Sequence, residues 1–321
     1  MRITENVAHV KRGRLECYID LSTAAGEKPS GRDPEAVGGS MRKFAGYPIV
    51  INYNLHTQLR YRSTETRLHE AGRYQEERQR SIQTNTTSDA KIENNLWQQE
   101  LDQYEATIYQ CLRKIDGNPV GRMVLGLLNK QTTVWIIPKS DKDLKQCNCA
   151  QTGPLRYDIQ KDGSYARGAG SGDTVIQFRP ELGDDTLFHE LVHAYRYSYK
   201  KFQPMKINVR TGRLSDLQST EEFLAHQMEN IYLSQSKRQL TMDYKWAWVS
   251  DKAKIYDFLL ENSEMLQTLK FFMRHEYLAM LVAHSFATDY NPFRDYAKLE
   301  AQYLKGSSLR ELPELGTMLR N

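Results

Sequence analysis

Cysteine is scarce in this sequence, with only Cys17, Cys111, Cys147 and Cys149 among 321 residues. No two of them form a Cys-x-x-Cys pair, and a chain of this length needs no disulfides to stabilise its core. We therefore expect free thiols in a reducing compartment. The alternative is a metal or redox site at Cys147 and Cys149, but a spacing of one residue suits few geometries.

Long apolar runs and a strong excess of one charge are also missing. No stretch approaches the roughly 18 consecutive apolar residues that predict a membrane-spanning helix. The first residues, MRITENVAHVKRGRLECYID, lack the apolar segment of a cleaved signal peptide. The net charge of +4 falls short of the clustered positive stripe of a nucleic-acid-binding protein. We expect no membrane span and no nucleic-acid partner, and keep a basic nucleic-acid-binding protein as the last of three hypotheses.

Composition and patterning divide the chain into four predicted regions. Residues 1–46 should be a flexible leader, because positions 21–46 are rich in Gly, Ser, Ala and Pro. Residues 47–120 are predicted to be mostly helical, 121–300 to form the main domain, and 301–321 to be a C-terminal tail.

Hydrophobic periodicity predicts an α+β fold that is mainly helical and has a small mixed sheet. The predicted strands are YPIVINYNL (47–55), TTVWIIP (132–138) and DTVIQFRP (173–180). A helix should run from Lys91 to Asp116, where Asp-Gly-Asn-Pro ends it. Further helices are predicted at 187–200, at 219–235 and over most of the chain up to residue 287.

The stretch TLFHELVHAY (186–195) places His189 and His193 four residues apart, with Glu190 directly after the first histidine. Given the composition, His-(Asp/Glu)-x-x-His is expected by chance only roughly 0.025 times. On a helix the two imidazoles lie ~40° apart, one turn from each other. Phe188, Leu191, Val192, Tyr195 and Tyr199 gather on another side, which should face the core.

Two imidazoles in this arrangement can bind one zinc ion. Glu190, on the flank, suits the task of taking a proton from a water that the ion acidifies. The alternative is a solvated polar strip formed by His189, His193, Arg196 and Lys200. Asp184 or Asp185 is expected to cap this helix.

A catalytic zinc site needs a third protein ligand, and the helix at 219–235 offers several candidates. Ser219 or Thr220 should cap it, with Glu222 in the capping-box position. Glu222 is the preferred ligand, while Glu221 would support a histidine or the base by a hydrogen bond. Both glutamates could instead simply stabilise the helix dipole. His226 could be a ligand, a supporting partner or an ordinary polar residue.

The predicted strand at 173–180 favours the metal-site interpretation. In zinc peptidases, a strand beside the metal-binding helix pairs with the extended backbone of the substrate. The strand lies directly before the helix in sequence, and we expect it to have this role.

The motif HELVHA, with the glycine-rich stretch and strand before it and TEEFLAHQMEN after it, resembles the NleD-like family of bacterial effector zinc metallopeptidases. It is also distantly similar to the clostridial neurotoxin light chains. The resemblance covers about residues 130–300. It implies a zincin-like fold, a metallopeptidase domain at 121–300, zinc bound by His189, His193 and Glu222, and Glu190 as general base. By the same resemblance, Tyr290 and Arg294 in TDYNPFRDY would stabilise the oxyanion.

The resemblance further implies an effector that bacteria inject into the host cell cytoplasm through type III secretion. Its substrate would be a host protein such as a MAP-kinase-like signalling protein. We expect a monomer. Residues 1–120 could serve in secretion, chaperone binding or substrate docking, and the sequence does not choose among these roles. The second hypothesis is a host-protein-binding effector whose zinc is structural, with His226, Asp216 or a cysteine as fourth ligand.

Overall fold

The structure, a computed structural model, describes residues 42–51, 88–139, 150–155, 157–159, 165–167, 172–204, 207, 219–242, 248–249, 251–286, 288–308 and 310–311. The predicted leader up to residue 41 lies outside these residues. So do residues 56–87, Cys147, Cys149, Asp216 and most of the predicted tail. Among the described residues, the helices lack the length and hydropathy of a membrane-spanning segment.

The chain forms two compact units. The sheet unit comprises the described parts of Cys17–Lys114 and Leu128–Lys200, and the helical unit comprises those of Ile115–Leu127 and Lys201–Asn321. The functional boundaries at residues 46, 120 and 300 stay predictions.

The sheet unit contains a mixed sheet, a hairpin and two helices. Its elements are β1 (Arg42–Phe44), β2 (Ile49–Ile51), α1 (Ser88–Gly117, whose last residues belong to the helical unit), β3 (Val134–Pro138), β4 (Gln151–Pro154), β5 (Tyr157–Ile159), β6 (Tyr165–Arg167), β7 (Thr174–Phe178) and α3 (Gly183–Ser198). The strand order of the main sheet is β1-β2-β3-β7-β4. The β2–β3 and β3–β7 pairs are parallel, whereas β1 and β4 run antiparallel to their neighbours.

The three predicted strands are confirmed at their centres, where apolar side chains are buried. Ile51, Ile136 and Ile176 have no exposed surface. Burial on both sides of a strand favours continuous apolar runs such as VWII, which is why the sequence signal was strong here. The Asp173 carboxylate also binds β3 to β7, accepting the Thr133 N–H at 2.7 Å and the Trp135 indole N–H at 3.3 Å.

The position of β7 corrects one expectation. The strand predicted to pair with substrate lies inside the sheet, with β3 on one side and β4 on the other. Both of its edges therefore have partners. Among the described strands it is β4 that forms the edge on this side of the sheet, and α3 lies against both β4 and β7.

The helical unit is built around a central helix. Its elements are α2 (Pro119–Leu127), α4 (Thr220–Gln235), β8 (Leu240–Thr241), β9 (Trp248–Val249), α5 (Lys252–Glu261), α6 (Ser263–His275), α7 (Tyr277–Ser285) and α8 (Tyr296–Gly306). Helix α6 contacts α4, α5, α7 and α8, and its Met265, Leu266 and Leu269 are fully buried. Together the two units confirm a mainly helical α+β chain with a small mixed sheet.

Helix α2 packs its glycine at position 121 against the end of α1. A Cβ added to Gly121 would overlap the Ile115 carbonyl oxygen and lie 2.9 Å from the Ile115 Cγ2 atom. Gly126, on the same helix, is exposed and has open space around its Cα.

We therefore expect opposite effects from two alanine substitutions in α2. Gly121→Ala should lower the free energy of unfolding by about 1–3 kcal/mol or more, since the backbone must shift to accept the methyl group. Gly126→Ala should raise it by about 0.5–1 kcal/mol, because alanine favours the helix. Urea unfolding monitored by circular dichroism measures both, and equal effects would contradict the packing described.

Candidate metal centre

Helix α3 follows β7 through a short 3₁₀ turn, Pro180–Leu182. Gly183 then has φ +87°, a value that side-chain-bearing residues rarely adopt, and α3 starts at this residue. The predicted cap is corrected: the helix starts earlier than expected, so its N-cap is Leu182, which offers no capping side chain. Asp184 and Asp185 lie in the first turn instead, where carboxylates stabilise the helix dipole.

The polar face of α3 is buried. His189, Glu190, His193 and Arg196 are only 4–7% exposed, close to the 0–3% of the apolar face of the helix. The alternative of a solvated polar strip is therefore wrong for His189, His193 and Arg196, although Lys200 is exposed. The predicted apolar side is confirmed for Phe188, Leu191, Val192 and Tyr195 but not for Tyr199, which is the C-cap and is 44% exposed.

The two imidazoles of α3 converge at their Nε2 atoms, which lie 3.2 Å apart. Two nitrogens bound tetrahedrally to zinc at ~2.05 Å would lie ~3.3 Å from each other. The rings are steeply inclined, with an interplanar angle of 75°. The separation therefore fits two ligands of one ion.

Glu222 supplies a carboxylate to the same cluster. One ligand atom from each of His189, His193 and Glu222 lies within 4.8 Å of the other two. Locally, Ser219 holds the start of α4 as predicted, since its hydroxyl accepts the Glu222 N–H at 3.3 Å. The Oε1 atom of Glu221 accepts the Gln203 N–H at 2.9 Å, and support of a histidine or of the base by Glu221 stays a prediction.

Two imidazoles and one carboxylate form a donor set that zinc prefers. Among the described residues, this group contains three ligating side chains and no fourth. Such a set would leave a position for water, as catalytic zinc sites do, whereas structural sites use four protein ligands. The residues present thus fit a zinc ion, and their roles as ligands stay a prediction.

Glu190 is held by a residue that sequence analysis missed. The Thr152 hydroxyl, on strand β4, lies 2.6 Å from the Glu190 Oε2 atom and 3.2 Å from the Glu190 carbonyl oxygen. These residues are 38 positions apart. No spacing rule connects them, because the contact depends on how β4 pairs with β7 beside α3.

His226 does not belong to the metal cluster. It is 2% exposed, its Nε2 donates to the Thr241 carbonyl at 3.1 Å, and its Nδ1 lies 3.9 Å from Glu229 Oε2. The fourth-ligand role considered for it is therefore wrong. A cysteine was the other candidate for a fourth ligand, and Cys111 is the cysteine within the described residues. It is a buried free thiol, and burial raises its pKa to about 11.

Tyr290 and Arg294 lie in a polar network of the helical unit. The Tyr290 hydroxyl is fully buried and donates to the Gln227 side-chain oxygen, and burial raises its pKa well above the ordinary value. Arg294 donates to the Asp295 carboxylate through two nitrogens at 2.9 Å and to the Thr288 carbonyl at 2.7 Å. These bonds stabilise the segment; an oxyanion role for either residue stays a prediction.

Comparison with known proteins gives little beyond the geometry. No protein-family model matches the sequence, and no curated protein matches it either. Among solved structures, a botulinum neurotoxin serotype HA light chain matches at 12% identity over 64% of this chain and 62% of that chain, with a TM-score of 0.27. The match spans less than two thirds of that chain, and a similarity this low carries no conclusion about function.

Separate substitutions of the two adjacent glutamates should show which of them binds zinc. We expect Glu222→Gln to weaken zinc affinity by more than the roughly 10- to 100-fold that loss of an outer hydrogen-bond partner costs. Glu221→Gln should lower zinc affinity by no more than that amount, because the Gln side chain can still accept the Gln203 N–H. His189→Ala should leave no stoichiometric zinc.

Zinc content after gel filtration and competition with a chromophoric chelator measure these affinities. Thermal unfolding of the metal-free variants serves as control for the fold. Retention of full affinity by Glu222→Gln would remove that residue from the ligand set.

Proposed function

We propose that the protein is a zinc-dependent endopeptidase. The observation that carries the proposal is the convergence of His189, His193 and Glu222 within 4.8 Å, with Glu190 buried beside the first histidine. Two ligands one helical turn apart, a third from another helix and an adjacent carboxylate are the parts that metal-assisted hydrolysis of a peptide bond requires.

Zinc bound to these three side chains would acidify a water molecule and polarise the carbonyl of the scissile bond. Glu190 takes the proton of the attacking water and later delivers it to the leaving amine. Its Oε2 atom accepts the Thr152 hydroxyl at 2.6 Å, a contact that ties the carboxylate to β4. The low exposure of Glu190 limits competition from bulk water for the carboxylate.

An edge of the sheet next to α3 supports an extended protein chain as substrate. Strand β4 is antiparallel to β7 and forms the edge of the described sheet beside α3. An extended segment that pairs with β4 would continue the sheet through main-chain hydrogen bonds. Binding of this kind depends little on side chains, so it fits an endopeptidase whose specificity comes from contacts elsewhere.

We further propose that the substrate is a host protein and that the chain acts as an effector inside the host cell. The support is the resemblance of HELVHA and TEEFLAHQMEN to NleD-like effectors, of which some members cleave MAP kinases. A MAP-kinase-like signalling protein is the first substrate to test.

The substitution Glu190→Gln tests the reaction. It should leave zinc content unchanged and lower cleavage by at least 10²-fold, because the amide cannot take the proton. New protein N-termini should appear in host cells that express the wild type and not in cells that express Glu190→Gln, as measured by N-terminal peptide enrichment and mass spectrometry.

Glu181→Gln provides a matched control, since its side chain is 69% exposed and outside the cluster. Cells expressing it should show the wild-type set of N-termini. Identical N-termini in cells with wild type and with Glu190→Gln would refute the proposed mechanism.

A further inference from the structure

The contact between Thr152 and Glu190 links the sheet directly to the motif of α3. The Thr152 Oγ1 atom is 2.6 Å from a carboxylate oxygen and 3.2 Å from the carbonyl oxygen of the same residue. A hydroxyl has a single proton, so it can donate to only one of them at a time. The shorter distance lies within the range of charge-assisted O–H···O⁻ bonds, which are the stronger kind. The proton therefore goes to Oε2.

The hydroxyl is held in place by the sheet. Thr152 pairs with Ile176 of β7, and both neighbouring pairs, Gln151 with Gln177 and Gly153 with Val175, are formed as well. Threonine is also restricted about χ1, because its Cβ is branched. Its hydroxyl thus has a nearly fixed position next to α3, whereas Glu190 has a longer side chain with several rotatable bonds.

We propose that Thr152 is a positioning residue for the general base. This inference rests on the proposed function. By donating to Oε2, the hydroxyl holds the Glu190 side chain in one rotamer and so fixes the orientation in which the carboxylate meets the reacting water. Strand β4, the edge of the described sheet on this side, thereby sets the orientation of the catalytic carboxylate.

The proposal predicts different outcomes for two substitutions of similar size. Thr152→Val keeps the β-branched shape and removes the hydroxyl, whereas Thr152→Ser keeps the hydroxyl. Thr174→Val is the matched control: Thr174 lies on the adjacent strand, is 1% exposed, and has a hydroxyl with no hydrogen-bond partner among the residues that the structure describes. That control should leave both the carboxylate and the activity unchanged.

Crystal structures of the zinc-loaded variants test the positioning directly. Wild type, Thr152→Ser and Thr174→Val should show one Glu190 rotamer with Thr152 or Ser at hydrogen-bond distance. Thr152→Val should show a displaced or multiply occupied Glu190 side chain at unchanged zinc content. A single, unmoved Glu190 rotamer in Thr152→Val would overturn the proposal.

Kinetics separate positioning from a general structural effect. With fluorescently labelled casein as an unfolded probe substrate, Thr152→Val should lower kcat roughly 10- to 100-fold with KM little changed. Thr152→Ser should restore most of kcat. A wild-type kcat in Thr152→Val, or an equal loss in Thr152→Ser, would overturn the catalytic part of the proposal.

The proposed function can fail separately. If zinc-loaded wild type cleaves neither casein nor any host protein, the endopeptidase assignment is wrong. The Glu190 rotamers in the crystals then still decide whether Thr152 positions that carboxylate.

Discussion

The burial of polar side chains along α3, above all His189, Glu190 and His193, is the constraint on which the rest of the structure depends. Imidazoles and a carboxylate removed from water lose hydration free energy, and such groups persist in a folded protein only when partners or a metal replace the water. His189 and His193 meet each other at 3.2 Å, and Glu190 accepts a hydroxyl at 2.6 Å. These contacts explain how a helix with this many polar residues can be almost completely enclosed.

Helix α4 is also rigidly held, and this matters because it presents Glu222. The Asn230 side chain accepts the Thr241 N–H and donates to the Thr241 carbonyl, both at 2.8 Å. His226 donates to the same carbonyl, and Gln227 accepts the buried Tyr290 hydroxyl. Satisfied buried networks restrict a helix to one position. Glu222 therefore starts from a fixed backbone, which lowers the entropy lost when its side chain binds an ion.

Local rules accounted for much of the candidate site. The four-residue spacing of His189 and His193 places them on one face of any helix, and the Ser219 cap sets Glu222 at the start of the next one. The apolar runs at 47–55, 132–138 and 173–180 were sufficient to locate strands. In each case the information lies within a few residues of the position it determines.

The remainder depends on pairing between distant segments. Nothing in the sequence placed 151–154 beside β7 in the sheet, so β7 was expected to pair with substrate and Thr152 was overlooked. The cap of α3 was misassigned because Gly183, with its positive φ, starts the helix ahead of Asp184 and Asp185. The sequence did not show that His226 has a hydrogen-bond partner, because that partner, the Thr241 carbonyl on β8, comes later in the chain.

The most direct measurement is anomalous diffraction at the zinc absorption edge from crystals of the intact chain. We expect one peak per chain, about 2.0–2.1 Å from the Nε2 atoms of His189 and His193 and bound by a Glu222 oxygen, with no fourth protein ligand. Absence of a peak at these three residues, or a fourth protein atom that completes the coordination, would contradict it.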